Sequence, residues 1–193
     1  KTSEKIQREC CTGNHLGTRI FFTRGEDEEK VTGFAAKMRK EMKKQREKNE
    51  AAFFSNMKIN NAAISELTNR IKNALLTQLE PTAVCSKTGK LKPSLVWKAL
   101  YLNNNKIFEK QVAEGSGNIS VDILLDASAS QIHRMDTVSA QGYIIAKALD
   151  NCHVPVRVWG YSSMNGYTVM NLYRNYSESS KNKEIFRFFT TGA

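Results

Sequence analysis

Val121-Asp-Ile-Leu-Leu-Asp-Ala-Ser-Ala-Ser130 is the stretch whose reading decides the fold. Ile119 to Leu125 is a short, mostly apolar run of the kind a buried strand presents, and it ends in Asp126. Glu114-Gly-Ser-Gly-Asn118 before it reads as a turn or linker. That segment precedes a strand, so it fails as a dinucleotide fingerprint, which must follow one. Downstream, residues 134–152 read as a helix with Val138, Ile145, Ala148 and Leu149 on one face. Val154 to Tyr161 reads as a second strand and Thr168 to Tyr173 as a third, parted by the turn-rich Ser162-Ser-Met-Asn-Gly166. Residues 181–189 read as helical again. Strand, helix, strand, strand, helix is the opening of an α/β sheet. The expectation is an α/β core over 119–193 with a parallel strand pair and with 121–125 away from the sheet edge.

Upstream the period changes to that of helices. Gly25 precedes Glu26, Asp27, Glu28 and Glu29, and bases follow as far as Lys48, an order that suits a helix dipole. Val31, Phe34, Met38 and Met42 form one apolar stripe, which predicts a long amphipathic helix from about 26 to 52. A second is predicted from about 60 to 80, with Ile64, Leu67, Ile71, Leu75 and Leu79 as its stripe and Pro81 as its stop. Both are expected outside the α/β core. Thr88-Gly89-Lys90 is not a phosphate loop: the first Gly is missing and Leu91 replaces the Ser or Thr after Lys. Leu95, Val96, Ala99 and Leu100 suggest a short helix after Pro93, and Ile107-Phe108 the start of an extended stretch.

At 193 residues, 40% hydrophobic and 25% charged, the composition is globular and excludes a disordered chain. It holds no apolar run of 18 residues, and neither a signal peptide nor a membrane span is expected. The net charge of +10 is spread: residues 1–60 hold 14 bases and 9 acids, 61–120 hold 8 and 4, and 121–193 hold 7 and 6. A nucleic-acid reader more often concentrates its bases on one recognition module. Cys10, Cys11, Cys85 and Cys152 have no CxxC spacing, so a closed zinc knuckle is not expected. Sparse cysteines and no leader read as a cytoplasmic protein with reduced thiols, Cys152 being a small core residue. Cys10, Cys11 and His15 offer metal-ligating atoms, but adjacent cysteines rarely ligate together, and local packing is the favoured reading.

The chemistry concentrates in Asp126-Ala-Ser128-Ala-Ser130. A strand in an open α/β sheet delivers such residues to its carboxyl end, where ligands bind. One carboxylate and two hydroxyls at alternate positions are hard oxygen donors that suit Mg²⁺ while leaving room for waters. A partner's carboxylate in an open position would make the metal a bridge between proteins. Without a metal, the same residues form an ordinary turn and helix cap.

Val121 to Ser130 resembles the first strand and metal-ion-dependent adhesion site of a von Willebrand factor A (VWA) domain. Tyr143-Ile-Ile-Ala-Lys-Ala-Leu149, Val154-Pro-Val-Arg-Val158 and Gly166-Tyr-Thr-Val169 resemble the nitric-oxide-reductase activation protein group, related to the T subunit of cobaltochelatase. Gly89-Lys-Leu-Lys-Pro93 and Lys106-Ile-Phe108 resemble the segment leading into that domain. The resemblance covers about 85–193, and Cys11-Thr-Gly-Asn-His15 through Thr23-Arg-Gly25 fits the group's helical lead-in. It implies a Rossmann-like VWA domain over 85–193, truncated at its C-terminus, after a helical region over 1–84. It implies a non-catalytic interaction module that works with a MoxR-type AAA+ ATPase to assemble, activate or metallate a client enzyme. The metal ligands carried over are Asp126, Ser128 and Ser130. In the group two later loops complete the site, the first beginning near Thr190-Thr-Gly192. The implied shell is therefore incomplete and the sheet short.

Two other readings compete. A haloacid-dehalogenase phosphatase also ends its first strand in Asp, but it needs a second Asp where this chain has Ser128. Serine hydrolysis lacks a Gly-x-Ser-x-Gly elbow, and His133 is too close in sequence to act as base; it reads as exposed at the helix start. Nucleic-acid or acidic-partner binding would rest on the run from Lys37 to Lys48, with seven bases and two acids. The plain reading of that run is a solvated helix face.

Overall fold

Helix α1 (Thr2–Cys10) opens the chain in a computed structural model that describes residues 2–25, 32–78, 82–112, 119–164 and 166–190. Strand β1 (Arg19–Thr23) and the long helices α2 (Phe34–Ser55) and α3 (Met57–Gln78) follow. Next come β2 (Thr82–Ser86), β3 (Lys90–Leu91), helix α4 (Val96–Leu102) and β4 (Phe108–Val112). The chain continues with β5 (Val121–Asp126), α5 (Met135–Asn151), β6 (Val156–Met164) and β7 (Tyr167–Arg174). A 3-10 segment, Ser179–Arg187, is the last regular element among the described residues. No helix among them is long and apolar enough to cross a membrane.

Contacts divide the chain into two units, 1–69 with 120–193, and 70–119. The smaller unit holds a three-stranded antiparallel sheet in the order β2-β4-β3. Gly89, in the turn before β3, has φ +132, and a Cβ there would lie 2.5 Å from the Glu109 carbonyl oxygen. A close backbone turn accounts for this glycine. The short helix expected after Pro93 is present as a 3-10 turn, Pro93–Leu95, running into α4.

The larger unit is built on a mixed four-stranded sheet in the order β1-β7-β6-β5. Strands β5 and β6 pair in parallel, with Asp122 opposite Arg157 and Asp126 opposite Tyr161. Strands β6 and β7 form an antiparallel hairpin, and β1 runs parallel to β7. The α/β class and the parallel pair are thus as the sequence predicts. Three details differ. Among the described residues the strand Val121–Asp126 lies at the sheet edge, with β6 as its one neighbour; it alternates half-buried and exposed positions, and Leu125 alone in it is buried. The supposed turn Ser162–Met164 is strand, leaving a tighter turn at Gly166, whose φ of +77 suits glycine. The third is β1, a strand inside the expected helical region, where the β-formers Ile20, Phe21 and Phe22 find a free edge on β7.

One sheet face carries the core. Val156 and Val158 are fully buried there, and α5 lies over β5 and β6. Gly142 makes this approach feasible: a Cβ there would meet the Leu125 methyls at 3.1 and 3.2 Å. Helix α2 packs on α5 and on the 3-10 segment, so it belongs to the core and not outside it. Its buried positions are Asn49 and Phe53, whereas Phe34 of the predicted stripe is 78% exposed. Phe53 meets Tyr143 and Phe186 with ring centroids 4.7 and 5.4 Å away, and Ile64 of α3 closes the cluster. The Asn49 amide donates 3.0 Å bonds to the carbonyls of Phe186 and Phe188, while its oxygen accepts from Gln45 at 2.8 Å. Val31, Leu79, Pro81, the acids 26–29, the turn 114–118 and Thr191-Gly192 lie outside the described residues.

Candidate functional site at the carboxyl end of the edge strand

Pairing with β6 carries the chain as far as Ala127, whose N–H donates to the Tyr161 carbonyl at 2.8 Å. The backbone then turns. Asp126 Oδ1 accepts the Ser128 N–H at 2.9 Å, an Asx-type turn in which the side chain holds the loop that leaves its own strand. The Ser128 carbonyl accepts from Gln131 N–H at 3.0 Å and starts the 3-10 turn Ala129–Gln131. The hydroxyls of Ser128 and Ser130 lie 2.9 Å apart. One carboxylate and two hydroxyls therefore lie together in the turn at the strand's end.

A fourth oxygen comes from far along the chain. The Thr190 hydroxyl donates to the Ser128 carbonyl at 2.8 Å, and its N–H faces the Met135 sulfur at 3.4 Å. Thr190 is 2% exposed. It reaches this place because the 3-10 segment is anchored on both sides. Arg187 donates to the Arg24 and Gly25 carbonyls at 3.0 and 3.2 Å. The fully buried Ile185, Phe186 and Phe188 fix the segment's other face.

The donors available to a cation are Asp126, Ser128 and Ser130, with the Thr190 hydroxyl engaged on the Ser128 carbonyl. This all-oxygen set fits Mg²⁺ in kind, though not in number. Among the described residues no three of His, Cys, Asp and Glu are placed to hold a metal. A cluster of one carboxylate and two hydroxyls would not form such a group. Cys10, Cys11 and His15 form no such group among the described residues, and the four cysteines are free. His133 is exposed in the turn before α5, as the sequence predicts.

Beside the cluster, α2 and the approach to α5 enclose a cleft of about 540 Å³. Met38, Ile132, Met135 and Phe189 floor it, and Thr190 joins it to the oxygen cluster. No sequence signal links α2 to this loop. The stripe of Met38 and Met42 marks a half-buried face without saying against what.

A second polar cluster lies on the β5–β6 pair. Arg157 forks onto Asp122 at 2.6 and 3.1 Å, and the Tyr176 hydroxyl donates to the same carboxylate at 2.8 Å. The Arg157 bond, more than any other contact, holds the Asp122 carboxyl below the usual carboxylate range. Every charged group here has a partner, so the cluster reads as a cross-strand clasp. Compared with protein-family models, with curated proteins and with solved structures, the chain matches none.

Proposed function

We propose that the chain is a non-catalytic, metal-dependent protein-interaction module, with Asp126, Ser128 and Ser130 holding a divalent cation. Held there, Mg²⁺ would offer an open coordination position to an Asp or Glu side chain of a partner. Asp126 supplies the charge, the two hydroxyls supply neutral oxygens, and Thr190 braces the loop through the Ser128 carbonyl. The observation that carries the reading is this convergence at the carboxyl end of a parallel-paired strand, where α/β sheets bind ligands. On the VWA resemblance, the setting is work with a MoxR-type AAA+ ATPase on a client enzyme.

The competing reading puts recognition on the basic face of α2. Lys37, Lys40, Lys43, Lys44 and Lys48 are exposed, and that observation favours it as the second candidate. Arg46 is already committed to Glu184 at 2.9 Å. A binding assay with the candidate ATPase in excess Mg²⁺ separates the two readings through EDTA, Asp126→Ala and Lys43→Glu/Lys44→Glu arms. The cation reading expects loss in the first two arms; survival there with loss only in the third would overturn it. Steep weakening with added salt and indifference to EDTA would point to phosphate contacts instead.

A further inference from the structure

We infer that the cleft between α2 and the start of α5 is a docking groove for a partner segment that interleaves acidic and apolar side chains. The inference deepens the preceding reading and rests on it for the placement of one partner acid beside Ser128. The groove itself supplies the rest of the specificity.

Three observations converge on that occupant. First, the floor is apolar and adaptable: Met38, Met135, Ile132 and Phe189 present two thioethers, a branched chain and a ring. Thioethers fill irregular gaps and suit a surface that must accept side chains of varied shape. Phe34, at the mouth, is 78% exposed and Ile132 40% exposed. Neither is needed to close the core, and a ligand's Leu, Ile or Phe would remove both from water.

Second, the rim is cationic. Lys44 and Lys48 stand one helical turn apart. Glu41 is the one acid among the described lining residues, and both lysines belong to a helix stretch with seven bases and two acids. An acidic partner is matched by this rim and a basic one repelled. A nucleic acid would use the lysines but leave the apolar floor without a function, so a protein segment fits both features.

Third, the groove and the oxygen cluster are continuous. Thr190 lines the groove and bonds the Ser128 carbonyl, and Ile132 follows Ser130 by two residues. One extended segment can thus place an acid at Asp126–Ser130, apolar side chains on the floor, and a second acid against Lys44 and Lys48.

The test uses phage-displayed random dodecapeptides, panned on the whole chain in excess Mg²⁺. Sequences that combine Asp or Glu with Leu, Ile, Phe or Met should be enriched. No enrichment, or enrichment of basic or uncharged sequences, overturns the proposal. The best enriched peptide is then titrated by fluorescence polarisation. Phe34→Ser and, separately, Lys44→Glu/Lys48→Glu change exposed side chains and should each weaken binding about tenfold or more. If both stay within about twofold of the parent while Asp126→Ala or EDTA abolishes binding, the groove is wrong and the cation reading stands. If the groove variants weaken binding while Asp126→Ala and EDTA do nothing, the groove stands and the cation reading falls.

Discussion

Replacing Asp150 by Ala leaves a guanidinium in the core without its counter-charge. Arg174 is 1% exposed, and its two terminal nitrogens reach the Asp150 carboxylate at 2.9 and 2.6 Å. The Asn182 amide donates to the same carboxylate at 2.7 Å, and its oxygen accepts from Arg174. The trio ties the end of α5 to β7 and to the 3-10 segment. Removing one partner of a buried pair costs about 3–5 kcal/mol, because the remaining charge stays desolvated. For a chain of this size that lowers the melting temperature by roughly 6–20 °C. Replacing all three, as Asp150→Leu/Arg174→Met/Asn182→Leu, removes the stranded ion without orphaning the buried Asn182 amide and should return stability to within about 1 kcal/mol of the parent. Thermal melts followed by circular dichroism read both effects. The single variant should also speed amide exchange at Thr190, since Asn182 anchors the segment that carries Thr190 to Ser128. A loss below about 1 kcal/mol in Asp150→Ala would mean that water reaches Arg174, and the reasoning from burial would fail.

Three further outcomes are expected. Gly160→Ala places a methyl 2.6 Å from the Tyr173 hydroxyl and 2.8 Å from its ring, so it should cost about 1–3 kcal/mol in urea unfolding, with Tyr173→Phe recovering only part. Glu178 is lowered from 4.5 to about 2, chiefly by the Lys181 ammonium at 2.8 Å and then by the Asn175 N–H. Its folded value lies below its unfolded one, so its stabilisation is complete above about pH 4.5 and drains as pH falls toward about 2; Glu178→Gln should flatten the melting temperature over that window. Isothermal calorimetry of the chain with Mg²⁺ alone should show a dissociation constant of about millimolar or weaker, because one carboxylate and two hydroxyls fill half an octahedral shell and Mg²⁺ sheds water reluctantly. Tight binding abolished by Ser128→Ala would refute that count of ligands.

The oxygen cluster was legible because its information is local. Asp126, Ser128 and Ser130 lie within five residues, and a strand followed by a helix places them at one end whatever surrounds them. The order of elements from β5 to β7 was legible for the same reason, since period-two and period-3.6 patterns act over short windows. What was lost depends on distant partners. Nothing in Arg19–Thr23 says that β7 leaves an edge for it, and the segment is too short for periodicity to distinguish. The apolar run at 121–125 looks the same in a central strand and in an edge strand whose other side carries the half-exposed Leu124. The stripe predicted for α2 finds the inward face at Met38 and Met42 but stops short of Asn49 and Phe53 on the same face, because a buried Asn49 that binds two carbonyls counts as polar in any pattern. The last segment reads as helical from its apolar spacing, yet it forms a 3-10 helix with a kink at Lys181. Pairing of Arg174 with Asn182 across that kink favours a local turn over a regular helix.

The two recognition readings that compete in the sequence meet in space, and this changes what a single variant can prove. From Lys37 to Lys48 and from Asp126 to Ser130 are stretches more than 70 residues apart, so the sequence treats them as rival sites. In the structure Lys44 and Lys48 stand over the same cleft that Thr190 joins to Ser128. A charge reversal on α2 therefore alters a cleft that Thr190 also lines, while Asp126→Ala leaves the rim charges in place. A partner lost in both variants would not show which contact comes first. The salt and EDTA responses do separate them: rim contacts between exposed charges are screened by salt and indifferent to chelation, and a cation-bridged carboxylate has the opposite signature. Paired assays under those two conditions, on the parent chain with no substitution at all, assign the order without altering the surface under test.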